Sequence, residues 1–187
     1  TGNQTGLLLL DYICSQRVKH GKMLDDPVMV KTIVTMDMAE RIAAHYGLRT
    51  INILTGFKFI GEQIGKLEQS SKAASYVFGF EESYGYLTGS YVRDKDGVDG
   101  AYMICEMFSY YAAQRISLLD KLEELYKIYG YCLNTLHSYE FNGSAGFTKC
   151  RISCRHSAEK SKNSVERRLL KYWIIRPVWM VCRSQMC

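Results

Sequence analysis

The chain has 187 residues, 47% of them hydrophobic and 23% charged, with a net charge of +5. That balance excludes a disordered polymer and supplies enough apolar material for one good core plus a fragment. Leu7 to Leu10 is too short for the roughly eighteen apolar residues of a membrane span, and Arg176 and Pro177 interrupt Tyr172 to Val181, so a soluble protein without a membrane partner is expected. Thr1 to Leu10 lacks the basic leader of a secretory signal, and the chain reads as cut from something longer.

In chain order, Asn3-Gln4-Thr5 offers caps for a helix whose buried face runs from Leu7 to Val18, with Lys19-His20-Gly21 as its basic last turn and stop. Val28 to Val34 is β-rich and mostly apolar, as a strand covered on both faces would be, and Asp37 is placed to cap a helix ending at His45. Strand Thr50 to Leu54 and helix Lys58 to Leu67 repeat the pattern, and Tyr76 to Phe80 is a third strand. A long polar connection then leads to a helix from about Gly100 to Gln114, and Ser117 opens a further helix that ends near Gly130. Tyr131 to Phe141 alternates as a strand, and Asn142 to Gly146 reads as a turn.

Alternating strands and helices predict an α/β fold: a three-layer α/β/α domain with a mixed, largely parallel sheet, followed by a truncated α+β piece and an irregular tail. The expected domains are 1–116, then 117–149, then an off-pattern basic tail over 150–187. That tail holds nine Lys or Arg against two Asp or Glu. It has no regular aromatic interleaving and no zinc-type spacing, so a nucleic-acid module is only the alternative reading: a non-catalytic α/β scaffold with a basic nucleic-acid-binding tail. Cys14, Cys105 and Cys132 lie in apolar, periodic surroundings and are expected to be reduced core residues, which favours a cytoplasmic location.

The stretch with most chemistry is Val77-Phe78-Gly79-Phe80-Glu81-Glu82-Ser83-Tyr84-Gly85, a strand that opens into two carboxylates and a hydroxyl between glycines. Such a group supplies several acceptors and one donor, suited to vicinal hydroxyls of a sugar, although an isolated Glu-Glu-Ser is more often a solvated turn.

Together with Leu54-Thr55-Gly56-Phe57-Lys58-Phe59-Ile60-Gly61 and Arg93-Asp94-Lys95-Asp96-Gly97, in the same order and spacing, that stretch resembles the third domain of the alpha-D-phosphohexomutases, the phosphoglucomutase and phosphomannomutase family. The resemblance runs from Thr1 to Lys149 and begins with Thr1-Gly2-Asn3-Gln4-Thr5-Gly6, which is similar to the segment following the family's metal-binding loop. It implies a cytoplasmic isomerase that moves phosphate between C1 and C6 of a hexose through a phosphoserine, with a sugar bisphosphate such as glucose 1,6-bisphosphate as intermediate. Mg2+ ligands and the phosphoserine would lie in other domains of the same enzyme. In this chain the resemblance implies no catalytic or metal residue, and substrate contacts at Thr55, Glu81, Ser83 and Lys95.

Lys58 and Glu82 are further possible contacts; Glu82 could equally support the loop by bonding backbone amides. Lys58 could equally be a surface helical lysine, Lys95 a solvated partner of Asp94 or Asp96, and Thr55 a helix cap. Tyr84 and Tyr86 either close over the sugar or pack the loop. The connection from Ser83 to Lys95 is slightly longer than the family's usual form, which weakens the match at Lys95. The partners expected are a sugar phosphate and the enzyme's remaining domains, with no nucleic acid. Lacking the phosphoserine loop, this chain alone is expected to be inactive.

After Lys149 the family's helix is expected to be missing. Cys150-Arg151-Ile152-Ser153-Cys154 is compatible with TGC AGG ATA TCA TGC, which one base earlier reads Met-Gln-Asp-Ile-Met. A single-base loss near the Lys149 codon is therefore our hypothesis for the tail, and an unbroken reading frame in the DNA would contradict it.

Overall fold

The computed structural model describes residues 1–134, 138–140, 143–163 and 181–183. These form two compact units, Thr1–Cys132 and Leu133–Cys187.

The first unit opens with α1 (Gly2–Lys19), one turn earlier than the caps at Asn3 to Thr5 suggest. Thr1 is the cap: its hydroxyl accepts from the Gln4 amide, and the Gln4 side chain returns the contact, a reciprocal arrangement that satisfies two otherwise unpaired N–H groups. Strand β1 (Val28–Thr32) is buried along its whole length, and α2 (Met38–His45) follows with Asp37 at its start. Asp37 makes no side-chain cap bond, contrary to expectation, because its carboxylate is taken by the Lys31 ammonium at 3.1 Å.

Strand β2 (Arg49–Ile53), helix α3 (Phe57–Gln69) and strand β3 (Tyr76–Phe80) complete the alternation. The two-residue strand β4 (Tyr86–Leu87) was hidden inside the polar connection, being too short to show a period. Helices α4 (Gly97–Ala113) and α5 (Leu118–Tyr129) close the unit.

The sheet order is β2-β1-β3-β4, with β1 parallel to both neighbours and β4 antiparallel to β3, so the sheet is mixed and mostly parallel. Two apolar clusters cover its faces. On one side Met29, Val77, Phe78 and Phe80 meet α1, α2, α4 and α5; on the other Val28, Val30, Tyr76 and Leu87 meet α3. The alternation Val28, Met29, Val30 between the two clusters is the period of a strand buried on both faces. Helix α5, which the sequence reading placed with the following segment, packs within the first unit through Leu122 and Leu125.

Cys14 and Cys132 are buried free thiols as expected, and burial pushes the Cys14 thiol up to about 12. Cys105 is exposed instead: it lies on the outer side of α4, whose apolar residues are not all turned inward.

Tyr131 to Asn134, at the boundary of the two units, is irregular rather than strand; in the second unit β5 covers only Ser138–Glu140 and pairs in parallel with β6 (Val181–Arg183). The rest of the expected strand lies outside the described residues. The turn expected at Asn142 to Gly146 and the missing helix are both corrected by α6 (Gly143–Asn163). Gly146 and Cys150 are buried one turn apart in it, while the other described residues from Gly143 to Ile152 are exposed. The tail is therefore helical through Asn163, not irregular from Cys150; residues 164–180 and 184–187 lie outside the described set. Among the described residues no helix is long and apolar enough to cross a membrane.

Candidate substrate site

Because β1, β2 and β3 run parallel, the turns that follow them gather at one edge of the sheet, where ligands of open α/β folds bind. Lys31 is level with Phe80, so Thr32 and Glu81 leave their strands at the same height. The loop after β3 is tight: the Glu81 amide donates to the Gly85 carbonyl at 2.9 Å, and Tyr84 at its tip adopts φ +63°. A left-handed tyrosine is uncommon, and here its ring is exposed rather than packed.

Glu81 is only 5% exposed. The Ser83 hydroxyl donates to its Oε2 at 3.2 Å, while Oε1 is buried with no hydrogen-bond partner in the protein. Burial pushes the Glu81 carboxyl above the usual range; the Ser83 hydroxyl and the Lys95 ammonium pull it back, and the neighbouring Glu82 and Asp94 push it further up. A buried carboxylate oxygen without a donor is costly and is rarely left so without a reason.

Lys95 is exposed, and its side chain passes close to Gly85, where an added Cβ would stand 3.3 Å from Lys95 Cδ and 3.0 Å from the Phe57 ring. The start of α3 and the Arg93 to Asp96 segment thus both close on the Glu81 to Gly85 loop. The backbone secures this: the Asp96 amide donates to the Tyr86 carbonyl at 3.2 Å, and Gly61 of α3 lies so close to the Arg93 carbonyl that no side chain fits between. Asp94 and Asp96 use their carboxylates on the Lys95, Val98 and Asp99 amides. They shape the loop, and Asp96 caps α4.

Thr55 and Lys58 are also exposed at this edge. Thr55 belongs to the turn after β2, one strand beyond β1, and Lys58 to the first turn of α3; Gly56, at φ +117°, begins that helix, so the helix cap is Gly56 and not Thr55. The Lys58 ammonium lies 5.0 Å from the Phe59 ring centre. The geometry therefore brings Glu81, Ser83 and Lys95 together and sets Thr55 on the neighbouring turn and Lys58 in the first turn of α3. Tyr86 is buried and donates to the Gly2 carbonyl at 3.0 Å, so it packs the loop, while Tyr84 is left outside.

Glu82, expected either to contact the sugar or to brace the loop through backbone amides, is bonded instead to a side chain. Its Oε2 accepts from the Thr32 hydroxyl at 3.3 Å. Thr32, Thr35 and the buried Lys31 were missed in the sequence; the available signal was Lys31-Thr32 in an otherwise apolar, doubly covered strand. Among the described residues no three of His, Cys, Asp and Glu are grouped to hold a metal, so none here is assigned to magnesium.

These features are those of an α/β/α domain with a polar loop cluster at one edge of its sheet, and residues 1–129 match the family model for phosphoglucomutase/phosphomannomutase, alpha/beta/alpha domain III. The chain belongs to the phosphoglucomutase/phosphomannomutase family. It is 34% identical over 155 residues to a phosphoglucomutase of Staphylococcus aureus (strain N315), covering 83% of this chain and 27% of the relative. The chain thus spans about a quarter of the length of the curated relatives it matches.

Two solved structures share the fold. The open form of the Paramecium exocytosis-sensitive phosphoprotein parafusin, a phosphoglucomutase, superposes with TM-score 0.60 at 15% identity, over 88% of this chain and 27% of that one. A Thermus thermophilus protein assigned as a phosphomannomutase superposes with TM-score 0.51 at 21% identity, over 68% and 25%.

Proposed function

We propose that this chain is the sugar-recognition part of a phosphohexomutase, most like phosphoglucomutase, that interconverts hexose 1-phosphate and hexose 6-phosphate. The observation that carries the reading is the buried, unpartnered Oε1 of Glu81 beside the Ser83 hydroxyl and the Lys95 side chain. Glu81 accepts from two neighbouring ring hydroxyls, so a sugar of the wrong stereochemistry leaves a buried acceptor unpaired, which is a strong basis for rejection. Ser83 can turn its hydroxyl toward the ring, and Lys95 offsets phosphate charge without demanding fixed geometry. Thr55, from the adjacent turn, and Lys58, from the start of α3, extend the contact surface, while Glu82 supports rather than contacts.

Phosphoryl transfer itself belongs to the rest of the enzyme: a phosphoserine, with Mg2+ held by other domains, and glucose 1,6-bisphosphate as the intermediate that turns over between them. Positioned phosphate, metal and nucleophile must act together, so the chain by itself has no mutase activity. Nothing among the described residues favours a scaffold with a nucleic-acid-binding tail. The test is a coupled assay of the complete enzyme on glucose 1-phosphate, mannose 1-phosphate and ribose 1-phosphate. A rate on glucose 1-phosphate that falls about a hundredfold or more in Glu81→Ala is expected; no rate on any of the three would contradict the reading.

A further inference from the structure

At the end of β1 the Thr32 and Thr35 side chains are almost wholly buried, and their hydroxyl oxygens stand 2.7 Å apart. Thr32 also reaches Glu82 Oε2 at 3.3 Å. An ionised carboxylate can only accept, so the single Thr32 proton goes to Glu82, and Thr35 must donate to Thr32. The two bonds therefore have one direction, Thr35 to Thr32 to Glu82.

Both ends of this chain are fixed. The Thr35 amide donates to the Thr32 carbonyl at 3.0 Å, the Thr35 carbonyl accepts from the Lys31 ammonium at 3.2 Å, and the next amide, Met36, donates to Asn3 Oδ1 at 3.0 Å. At the other end the Glu82 carbonyl abuts Gly2 so closely that any side chain there would collide with it. Glu82 is thus held on its side chain by β1 and on its backbone by α1. The residues on either side of it, Glu81 and Ser83, are bonded to each other instead.

We propose that Thr32 and Thr35 are positioning residues for the sugar loop: they pin Glu82, and Glu82 sets where Glu81 and Ser83 stand. The purpose of the relay rests on the sugar-phosphate reading above; its geometry does not. Neither threonine touches the substrate, and both act through Glu82. The need is physical, since a binding constellation held only by a surface loop is loose by about an ångström unless buried bonds behind it fix its rotamers.

The experiment is nuclear magnetic resonance on the 187-residue chain as wild type, Thr32→Val, Thr32→Ser, Glu82→Ala and the Thr32→Val/Glu82→Ala double variant. Amide hydrogen exchange at Ser83, Tyr84 and Gly85 is measured, together with a titration by glucose 1-phosphate. Thr32→Val is expected to speed loop exchange and weaken glucose 1-phosphate binding about tenfold each, the size of one lost hydrogen bond to a charge, while Thr32→Ser stays near wild type. Glu82→Ala should match Thr32→Val, and the double variant should be no worse than the worse single.

Loop exchange unchanged in Thr32→Val, or losses that add in the double variant, would overturn the relay. Should Thr32→Val lose the exchange protection of β1 itself, Glu82→Ala decides alone, and an unchanged loop in that variant overturns it. If the wild-type chain gives no response to glucose 1-phosphate, the sugar-phosphate reading fails, and the exchange data still decide the relay.

Discussion

The turn after β1 and the loop after β3 lie side by side at the same edge of the sheet and both carry hydroxyls and carboxylates, yet they end in opposite states. In the first, Lys31 bonds the Thr35 carbonyl, Asp37 and Glu40, and the two threonines bond each other and Glu82. In the second, Glu81 is buried with one oxygen unpartnered, Ser83 and Tyr84 are exposed, and Tyr84 sits at a left-handed φ. The first is a closed wall, and the second is open toward solvent. The proposed binding edge needs both, because an acceptor left free for a ligand keeps its place only against neighbours that are already satisfied.

The sharpest way to break the contrast is at the wall. Lys31→Ala removes a buried ammonium from two carboxylates and one carbonyl and is expected to cost about 3 kcal/mol in urea unfolding, reduced from the fully buried case because Asp37 and Glu40 are partly exposed. A loss below roughly 0.5 kcal/mol would mean that the turn is held by its backbone alone.

On the open side the sign reverses. The folded chain holds the Glu81 proton to a higher pH than the unfolded chain does, because burial disfavours the charge. Between those two points the folded state binds the extra proton, so the stability contributed at Glu81 declines as pH rises through that window. Glu81→Gln is expected to flatten that decline and to gain about 1 kcal/mol at neutral pH, read from unfolding curves across the acid range, at the expense of sugar binding. A variant that is less stable than wild type at neutral pH would mean that Lys95 and Ser83 outweigh burial.

The smallest effect is expected at Tyr84→Gly. Relief of the left-handed backbone is nearly balanced by glycine's freedom in the unfolded chain, leaving a change of no more than about 1 kcal/mol in thermal unfolding.

Much of this was legible in the sequence because period and punctuation carried it. Val28 to Val34, Thr50 to Leu54 and Tyr76 to Phe80 gave the strands to within about two residues, and the resemblance pointed to Glu81, Ser83 and Lys95, which the fold places near one another at one edge of the sheet. What could not be read was long-range pairing. Asp37 looks like a cap until Lys31, six residues earlier, is seen to take its carboxylate, and Glu82 looks like a ligand or a local brace until Thr32, fifty residues away, is found against it. Gly143 to Gly146 illustrates the opposite failure, where a local turn signal falls in the first turn of α6.

The central claim, that the edge holding Glu81, Ser83 and Lys95 receives a sugar phosphate, is most directly tested by comparing the amide shifts of the wild-type chain with α-glucose 1-phosphate, inorganic phosphate and glucose in turn. Saturable shifts at Glu81 to Gly85 and Lys95 with glucose 1-phosphate, absent with phosphate alone and lost in Glu81→Gln, are the predicted result. Identical shifts with inorganic phosphate, or shifts confined to other parts of the molecule, would contradict it.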